Sequence, residues 1–212
     1  MKAFFRNNGL TTALMGMFLF SVAGMIWAGH ASHNEELTRH GAPAIGLLAY
    51  LGSGDFLSAL FENWESEFLQ MSAYVVLTAM LFQRGSSESR DPDAPDRPND
   101  ELPAGMWQRH PVLSWLYCNG LGVALGLLFV LSFALHWSAS FAAATEEALR
   151  HGDAPQLMGS YLFDAQLWFE SFQNWQSEFL STAVLVVLSI FLRQKGSPES
   201  KPVGAANTET GD

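Results

Sequence analysis

The chain has 212 residues, of which 49% are hydrophobic and 15% charged, and its formal net charge at pH 7 is −10. This acidic balance argues against nucleic acid as a partner, and the single cysteine, Cys118, excludes an internal disulfide. Charged residues are absent from Thr11–Gly29 and from Pro111–Thr145. Apolar stretches of this length are typical of membrane-spanning helices.

The first predicted element is a spanning helix over about residues 10–29, followed by a short polar helix over 34–40. Gly41 follows, and a glycine at this position can adopt the left-handed backbone conformation that ends a helix. A moderately apolar surface stretch over 42–54 leads to a long helix over 55–83. At 1.5 Å per residue this helix measures roughly 43 Å, so its first turns are expected to project beyond the hydrocarbon core.

The same order of elements is predicted for the second half of the chain. A spanning helix over about 115–138 precedes a polar helix over 145–151, and a second long helix covers 164–194. Residues 91–110 are rich in proline and acidic residues, which cannot bury a core, so they are predicted to form a cytoplasmic linker. Residues 202–212 are predicted to be a disordered tail.

The two halves align without a gap when the chain is shifted by 111 residues. The identities include Asn8-Gly9-Leu10 with Asn119-Gly120-Leu121, Tyr50-Leu51 with Tyr161-Leu162, and Asn63-Trp64 with Asn174-Trp175. This series of identities at one constant spacing indicates an internal duplication, with a first two-helix repeat over 1–90 and a second over 111–201. The predicted fold class is an all-α membrane protein with four transmembrane helices and short external helices.

Basic residues predict the orientation of these helices. Only Arg39 and Arg150 lie in the loops between the helices of a repeat. The other nine flank the opposite ends of the helices: Lys2, Arg6, Arg84, Arg90, Arg97, Arg109, Arg193, Lys195 and Lys201. Because basic residues concentrate on the cytoplasmic side, both termini and the linker are predicted to be cytoplasmic. Each repeat crosses twice, so the repeats are expected to be parallel, related by an axis along the membrane normal.

One duplicated motif, Asn-Trp-(Glu/Gln)-Ser-Glu-Phe-Leu, carries the predicted site at the outer end of each long helix. Its polar and aromatic members are Asn63, Trp64, Glu67, Asn174, Trp175 and Glu178. Carboxylates at a membrane boundary are costly to bury and need partners, which favours a paired acidic site for a proton or cation. The alternative is an interfacial girdle, in which the tryptophans anchor at headgroup level and the polar groups hydrogen-bond between helices.

The histidines form a weaker pattern. His30, His33 and His40 cluster with two glutamates in the first half, but the second half keeps only His151 at a matching position. His136 has no histidine at its equivalent position. Helix capping by His40 and His151 is therefore preferred to a surface metal site. No metal, cofactor or catalytic set is predicted.

With Tyr50-Leu51-Gly52-Ser53-Gly54, Phe61–Gln70 and Phe82–Ser86 as its most specific segments, the chain resembles a family of bacterial membrane proteins known only as a domain of unknown function. The resemblance covers nearly the whole chain and implies a bacterial cytoplasmic membrane, without an activity. We expect a non-enzymatic structural or accessory membrane protein, and as the alternative a proton or cation channel or transporter. Its expected partners are membrane lipid and either another protein or a second copy of the chain.

The orientation leads to a direct test. A reporter inserted near Asp96 or fused after Asp212 should read as cytoplasmic, whereas one inserted near Gly41 or Gly152 should read as external, because nine of the eleven Lys and Arg residues lie on the predicted cytoplasmic side. A cytoplasmic signal near Gly41 would contradict the arrangement of four spans.

Overall fold

The computed structural model describes residues 2–97, 100–102 and 110–211. Among these residues the regular structure is entirely helical, which confirms the all-α class. The helices are, in chain order, α1 Lys2–Arg39, α2 Leu47–Leu51, α3 Gly54–Met80, α4 Pro111–His151, α5 Met158–Tyr161 and α6 Ala165–Phe191. In the predicted linker, residues 98–99 and 103–109 lie outside the described part of the chain.

Two of these helices are long and apolar enough to cross a membrane, namely Phe4–Arg39 within α1 and Pro111–His151, which is α4. Their apolar side chains are largely exposed: Phe20 and Trp27 of α1 are 81% and 78% exposed. The further spans predicted in α3 and α6, and the parallel arrangement of the repeats, stay predictions.

The prediction of separate spanning and polar helices is wrong in both halves. Residues 10–29 and 34–40 belong to one helix, α1, whose only non-helical backbone lies at Asn8, where φ is −128°. Residues 115–138 and 145–151 likewise belong to α4. The connecting residues contain no proline, and in α4 they read Ala-Ser-Phe-Ala-Ala-Ala, which favours helix continuation.

The predicted glycine stops are confirmed. Gly41 and Gly152 have φ of 74° and 78°, in the left-handed region that a residue with a β-carbon avoids. After α1, the backbone N–H of Ala42 donates to the carbonyl of Leu37, and the N–H of Asp153 makes the corresponding bond to Ala148 after α4. These bonds satisfy carbonyls that have no partner inside the helix.

The bounds of the later helices are related by the spacing found in the sequence. Adding 111 to the ends of α3, residues 54 and 80, gives 165 and 191, the ends of α6. The start of α2, residue 47, likewise becomes 158, the start of α5. The matching sequence motifs therefore lie on matching elements.

Contacts divide the chain into two compact units. Unit 1 comprises Met1–Ala59 and Ser138–Pro155, and unit 2 comprises Leu60–Trp137 and Gln156–Asp212. α3 and α4 each contribute to both units.

Unit 1 is organised around the buried Tyr50 of α2, whose ring contacts His30, His33 and Phe56 at centroid distances of 5.3–5.6 Å. Burial and the negative charge of Asp55 raise the pKa of Tyr50 above its ordinary value. Asn34 holds the loop before α2 by accepting from the backbone N–H of Ile45 at 2.7 Å.

In unit 2, the segments that follow α3 and α6 lie against each other. Lys201 is buried, and its Nζ donates to the carbonyls of Ala206, Asn207 and Glu209 at 2.9–3.2 Å. The hydroxyl of Thr210 accepts from the N–H of Gly85 at 2.8 Å. Carbonyls of three residues in the predicted tail thus surround one ammonium group, a contact that a reading of composition does not detect.

Gly54 tests the packing of unit 1. A β-carbon at Gly54 would lie 2.4 Å from the backbone nitrogen of Ala143 and 2.9 Å from the carbonyl oxygen of Ala139. Because backbone atoms cannot rotate away, Gly54→Ala should lower the free energy of unfolding by about 1–3 kcal/mol, measured by thermal unfolding in detergent. Gly24→Ala is the matched control, since a β-carbon there meets nothing within 4 Å. Equal stabilities of the two variants would contradict this packing.

Candidate functional site

A fully buried histidine lies at the centre of unit 2. His136 of α4 places its Nδ1 2.8 Å from Oε2 of Glu65 on α3, and its Nε2 3.1 Å from Oε2 of Glu170 on α6. The side chains of His136 and Glu65 are both 0% exposed, and that of Glu170 is 21% exposed. One imidazole thus bridges two carboxylates from different helices.

Further polar groups complete this arrangement. Oε1 of Glu65 accepts from Nε1 of Trp175 at 3.1 Å. Glu62, one helical turn before Glu65, accepts from the side-chain amide of Asn174. Oε1 of Glu170 accepts from the amide of Gln166 at 2.9 Å. We call Glu62, Glu65, His136 and Glu170 the histidine–carboxylate cluster.

Local sequence places the cluster residues on their helices. Glu62 and Glu65 are three residues apart, so they lie on one face of α3. α6 begins at Asp164, whose carboxylate accepts from the backbone N–H of Gln166 at 2.9 Å and from the amide of Gln156 at 2.9 Å. These two hydrogen bonds hold the pKa of Asp164 below its ordinary value. The cap keeps Asp164 ionised and fixes the start of the helix that carries Glu170.

Aromatic rings line one side of the cluster. Trp175 contacts the rings of Phe129, Trp168 and Phe172 at centroid distances of 5.3–6.2 Å. Trp168 in turn donates from Nε1 to the carbonyl of Leu162 at 2.8 Å. The indole that binds Glu65 is therefore held in place by packing.

The cluster carries an excess of negative charge. With His136 protonated and the three carboxylates ionised, its four groups sum to −2. One nitrogen of His136 and one oxygen each of Glu62 and Glu170 lie within 4.8 Å of one another, which is compatible with a shared cation. The arrangement can hold or relay a proton, because each ring nitrogen faces a carboxylate.

Two of the six residues predicted from the sequence, Asn174 and Trp175, hydrogen-bond to the cluster. Glu67 is exposed and Glu178 half-buried, and they are near enough for their charges to repel. Asn63 is exposed and Trp64 half-buried, with the ring of Trp64 against Phe61 at 5.5 Å.

The histidines of unit 1 have structural contacts. His30 contacts the carbonyl oxygen of Ile45 at 2.8 Å, and His33 pairs with Asp55 at 3.0 Å. His40 and His151 are exposed and line a cavity with Glu36, Asp55 and Glu147.

One feature of the sequence, the position of His136, pointed to the cluster, but a search for residues common to both halves passes over it. His136 is the one titratable side chain, apart from Tyr117 and Cys118, in the uncharged stretch Pro111–Thr145. An ionisable residue inside a spanning segment is by itself a reason to expect a functional site. Its lack of a counterpart in the first half argued against it in the sequence, whereas its partners became evident only from the packing of α3, α4 and α6.

Residues 1–212 match the protein family described as "Domain of unknown function (DUF6766)". Neither a curated protein nor a solved structure matches the chain.

Glu65 and Glu67 form a matched pair for testing the cluster. Glu65→Ala should lower the free energy of unfolding in detergent by about 3–5 kcal/mol, because it removes one partner of a buried ion pair and leaves the other charge without it. Glu67→Ala, two residues away but exposed, should change it by less than about 0.5 kcal/mol. A loss for Glu65→Ala no larger than that for Glu67→Ala would contradict the ion pair.

Proposed function

The chain belongs to the DUF6766 family, defined by a domain of unknown function, and from its own residues we propose that it is an integral membrane protein that moves protons or another cation. The observation that carries the proposal is the fully buried His136 between Glu65 and Glu170. Buried titratable groups that are arranged in a chain, and not merely paired, are typical of proton relays and ion pathways in membranes.

The membrane assignment is part of the proposal. α1 and α4 have the length and composition of spanning helices, and α3 and α6, at 27 residues each, measure roughly 40 Å. We propose that all four cross the membrane as two parallel repeats with both termini cytoplasmic, in a bacterial inner membrane. The shared spacing of 111 residues and the nine cytoplasmic basic residues support this arrangement.

In this orientation the cluster lies toward the outer ends of α3, α4 and α6. A cation arriving from outside would meet an acidic face, since the proposed outer side carries twelve of the 21 acids and only two of the eleven basic residues. Attraction of this kind raises the local cation concentration.

Polar contacts continue along α3 and α6 from the cluster toward the cytoplasmic ends. Five residues beyond Glu65, the amide of Gln70 donates to the hydroxyl of Thr182 at 2.5 Å and to the carbonyl of Glu178 at 2.9 Å. One turn further, the hydroxyl of Tyr74 donates to Glu88 at 2.6 Å. Steps of this kind are about 6–8 Å along a helix, a spacing that a chain of two or more water molecules would span.

The last polar contact lies at the end of this series. Ser86 and Ser189 are both buried, and their hydroxyls are 2.8 Å apart. Glu88 and Ser86 belong to the segment that enters the proposed cytoplasmic linker. We therefore take the route for a proton to run from the cluster through Gln70 and Tyr74 to Glu88.

Flux through proteoliposomes tests the proposal. Under an imposed membrane potential, the wild-type protein should carry a current detected by pH-sensitive or cation-sensitive dyes. Glu170→Gln should reduce this flux at least about tenfold, because positioned proton-transfer groups contribute at least that much to rate. Glutamine keeps the shape and the hydrogen bond from Gln166, and Glu170 is partly exposed, so the fold should survive.

The control is the double variant Glu67→Gln and Glu178→Gln, which removes the two acids of the predicted motif and should leave the flux unchanged. Loss of flux in this control variant but not in Glu170→Gln would show that Glu67 and Glu178, and not the histidine–carboxylate cluster, form the transport site. A wild-type protein without flux would overturn transport and favour the structural or accessory role.

A further inference from the structure

We propose that the histidine–carboxylate cluster binds a divalent first-row transition metal, with Glu62, His136 and Glu170 as its ligands and Glu65 as the residue that orients His136. This inference rests on the proposed function in that it names the ligand of the same cluster. It stands on the distances, the burial and the charge of the described side chains.

The distances fit a metal between the three groups. Nε2 of His136 and Oε2 of Glu170 are 3.1 Å apart, close to the ~3.4 Å that separates two ligands of a tetrahedral ion with bonds of about 2.1 Å. One ring nitrogen of His136, one carboxylate oxygen of Glu170 and one of Glu62 lie within 4.8 Å of one another. Glu62 and Glu170 are only partly buried, so a small rotation of either side chain would close the site, and a water molecule could take a fourth position.

The surroundings of each ligand are those of a metal site. A ligating histidine usually donates its other ring N–H to a carboxylate, and Nδ1 of His136 lies 2.8 Å from Glu65. With the ring proton on Nδ1, the lone pair of Nε2 is on the side of the ring that faces Oε2 of Glu170, 3.1 Å away. Asn174 and Gln166 hydrogen-bond to the carboxylates of Glu62 and Glu170.

Charge favours a divalent ion over a proton. Neutral His136 and three carboxylates sum to −3, which a divalent cation reduces to −1, whereas a single proton on the ring leaves −2. α3 and α6 contain no lysine or arginine, and α4 contains only Arg150, fourteen residues after His136. One imidazole and two carboxylates are ligands that suit Zn²⁺, Mn²⁺ and Fe²⁺, with Zn²⁺ bound more tightly than Mn²⁺.

The alignment of the two halves shows that the cluster residues differ between the halves, whereas an asparagine and a tryptophan that support them are the same in both. Shifting by 111 residues places Gln173 over Glu62, Gln176 over Glu65, Met25 over His136 and Ala59 over Glu170. All four cluster residues therefore have an uncharged counterpart, whereas the asparagine and tryptophan that support them occur in both halves. A group needed only for packing between equivalent helices would be expected in both copies. The residues at the equivalent positions, such as Met25 for His136 and Gln176 for Glu65, also suggest which substitutions to test, because the matching helices already carry them.

Metal binding is tested with purified protein in detergent, stripped with a chelator and titrated with Zn²⁺ and Mn²⁺ in a calorimeter. We expect about one ion per chain, with Zn²⁺ bound more tightly, and an increase of the melting temperature when Zn²⁺ is added. His136→Met and Glu170→Gln should each remove this ion. Glu65→Gln should keep the stoichiometry and weaken the affinity by about 10–100-fold, because the orienting carboxylate is lost.

The control for surface binding is the double variant His40→Gln and His151→Gln, which removes both imidazoles from the acidic cavity of unit 1. This variant should bind metal as the wild type does, and loss of the ion in it would overturn the assignment. If His136→Met fails to fold, Glu170→Gln decides alone: binding of Zn²⁺ at wild-type affinity would overturn the site. Wild-type protein that binds no Zn²⁺ or Mn²⁺ would also overturn it.

The flux and metal-binding experiments distinguish failure of the transport proposal from failure of the metal-site proposal. Flux that depends on Glu170 without metal binding would refute the metal site and leave proton transport. Binding of one Zn²⁺ that depends on His136, in a protein without flux, would refute transport and leave the metal site.

Discussion

The contact between His136 and its two carboxylates is the constraint on which unit 2 depends. A buried charge is tolerated only when an opposite charge and hydrogen bonds compensate for the lost water. His136 and Glu65 are both 0% exposed, so neither can be accommodated without the other. Because the three partners come from α3, α4 and α6, this requirement fixes how those helices lie within the unit.

The requirement extends outward from the ion pair. Both oxygens of Glu65 have partners, one from His136 and one from the indole of Trp175. Trp175 is held in turn by three aromatic rings. The hydrogen bonds of Glu65 therefore depend on the aromatic packing around Trp175. Displacing the indole would leave a buried carboxylate oxygen without its donor. Such coupling holds functional groups in a fixed geometry, which a proton relay and a metal site both need.

If the chain arose by the duplication that the sequence predicts, the cluster is an asymmetric site on a repeated scaffold. Asn63 and Trp64 have the same residue types as Asn174 and Trp175, and Asn174 and Trp175 bind cluster carboxylates. The cluster itself is asymmetric, because Glu62 and Glu65 of the first half and His136 and Glu170 of the second half each have an uncharged residue at the equivalent position of the other half. In the proposed membrane protein, the duplication would supply the helices and the supporting residues, and later divergence would supply the charges.

The sequence by itself determined the all-α class and the glycine stops at Gly41 and Gly152, because hydrophobic composition and left-handed glycines act locally along the chain. It divided α1 and α4 each into two helices, which the structure shows to be continuous. It placed α3 and α6 within a few residues of their observed ends and indicated Asn174 and Trp175 as site residues. It did not find the ion pair, because Glu65, His136 and Glu170 are 71 and 34 residues apart in the chain, and no local pattern relates them. Nor did it find the contacts of Lys201, whose partners are backbone carbonyls that carry no sequence signature. Tertiary structure decided both features, since the cost of burying a charge depends on which groups surround it in space.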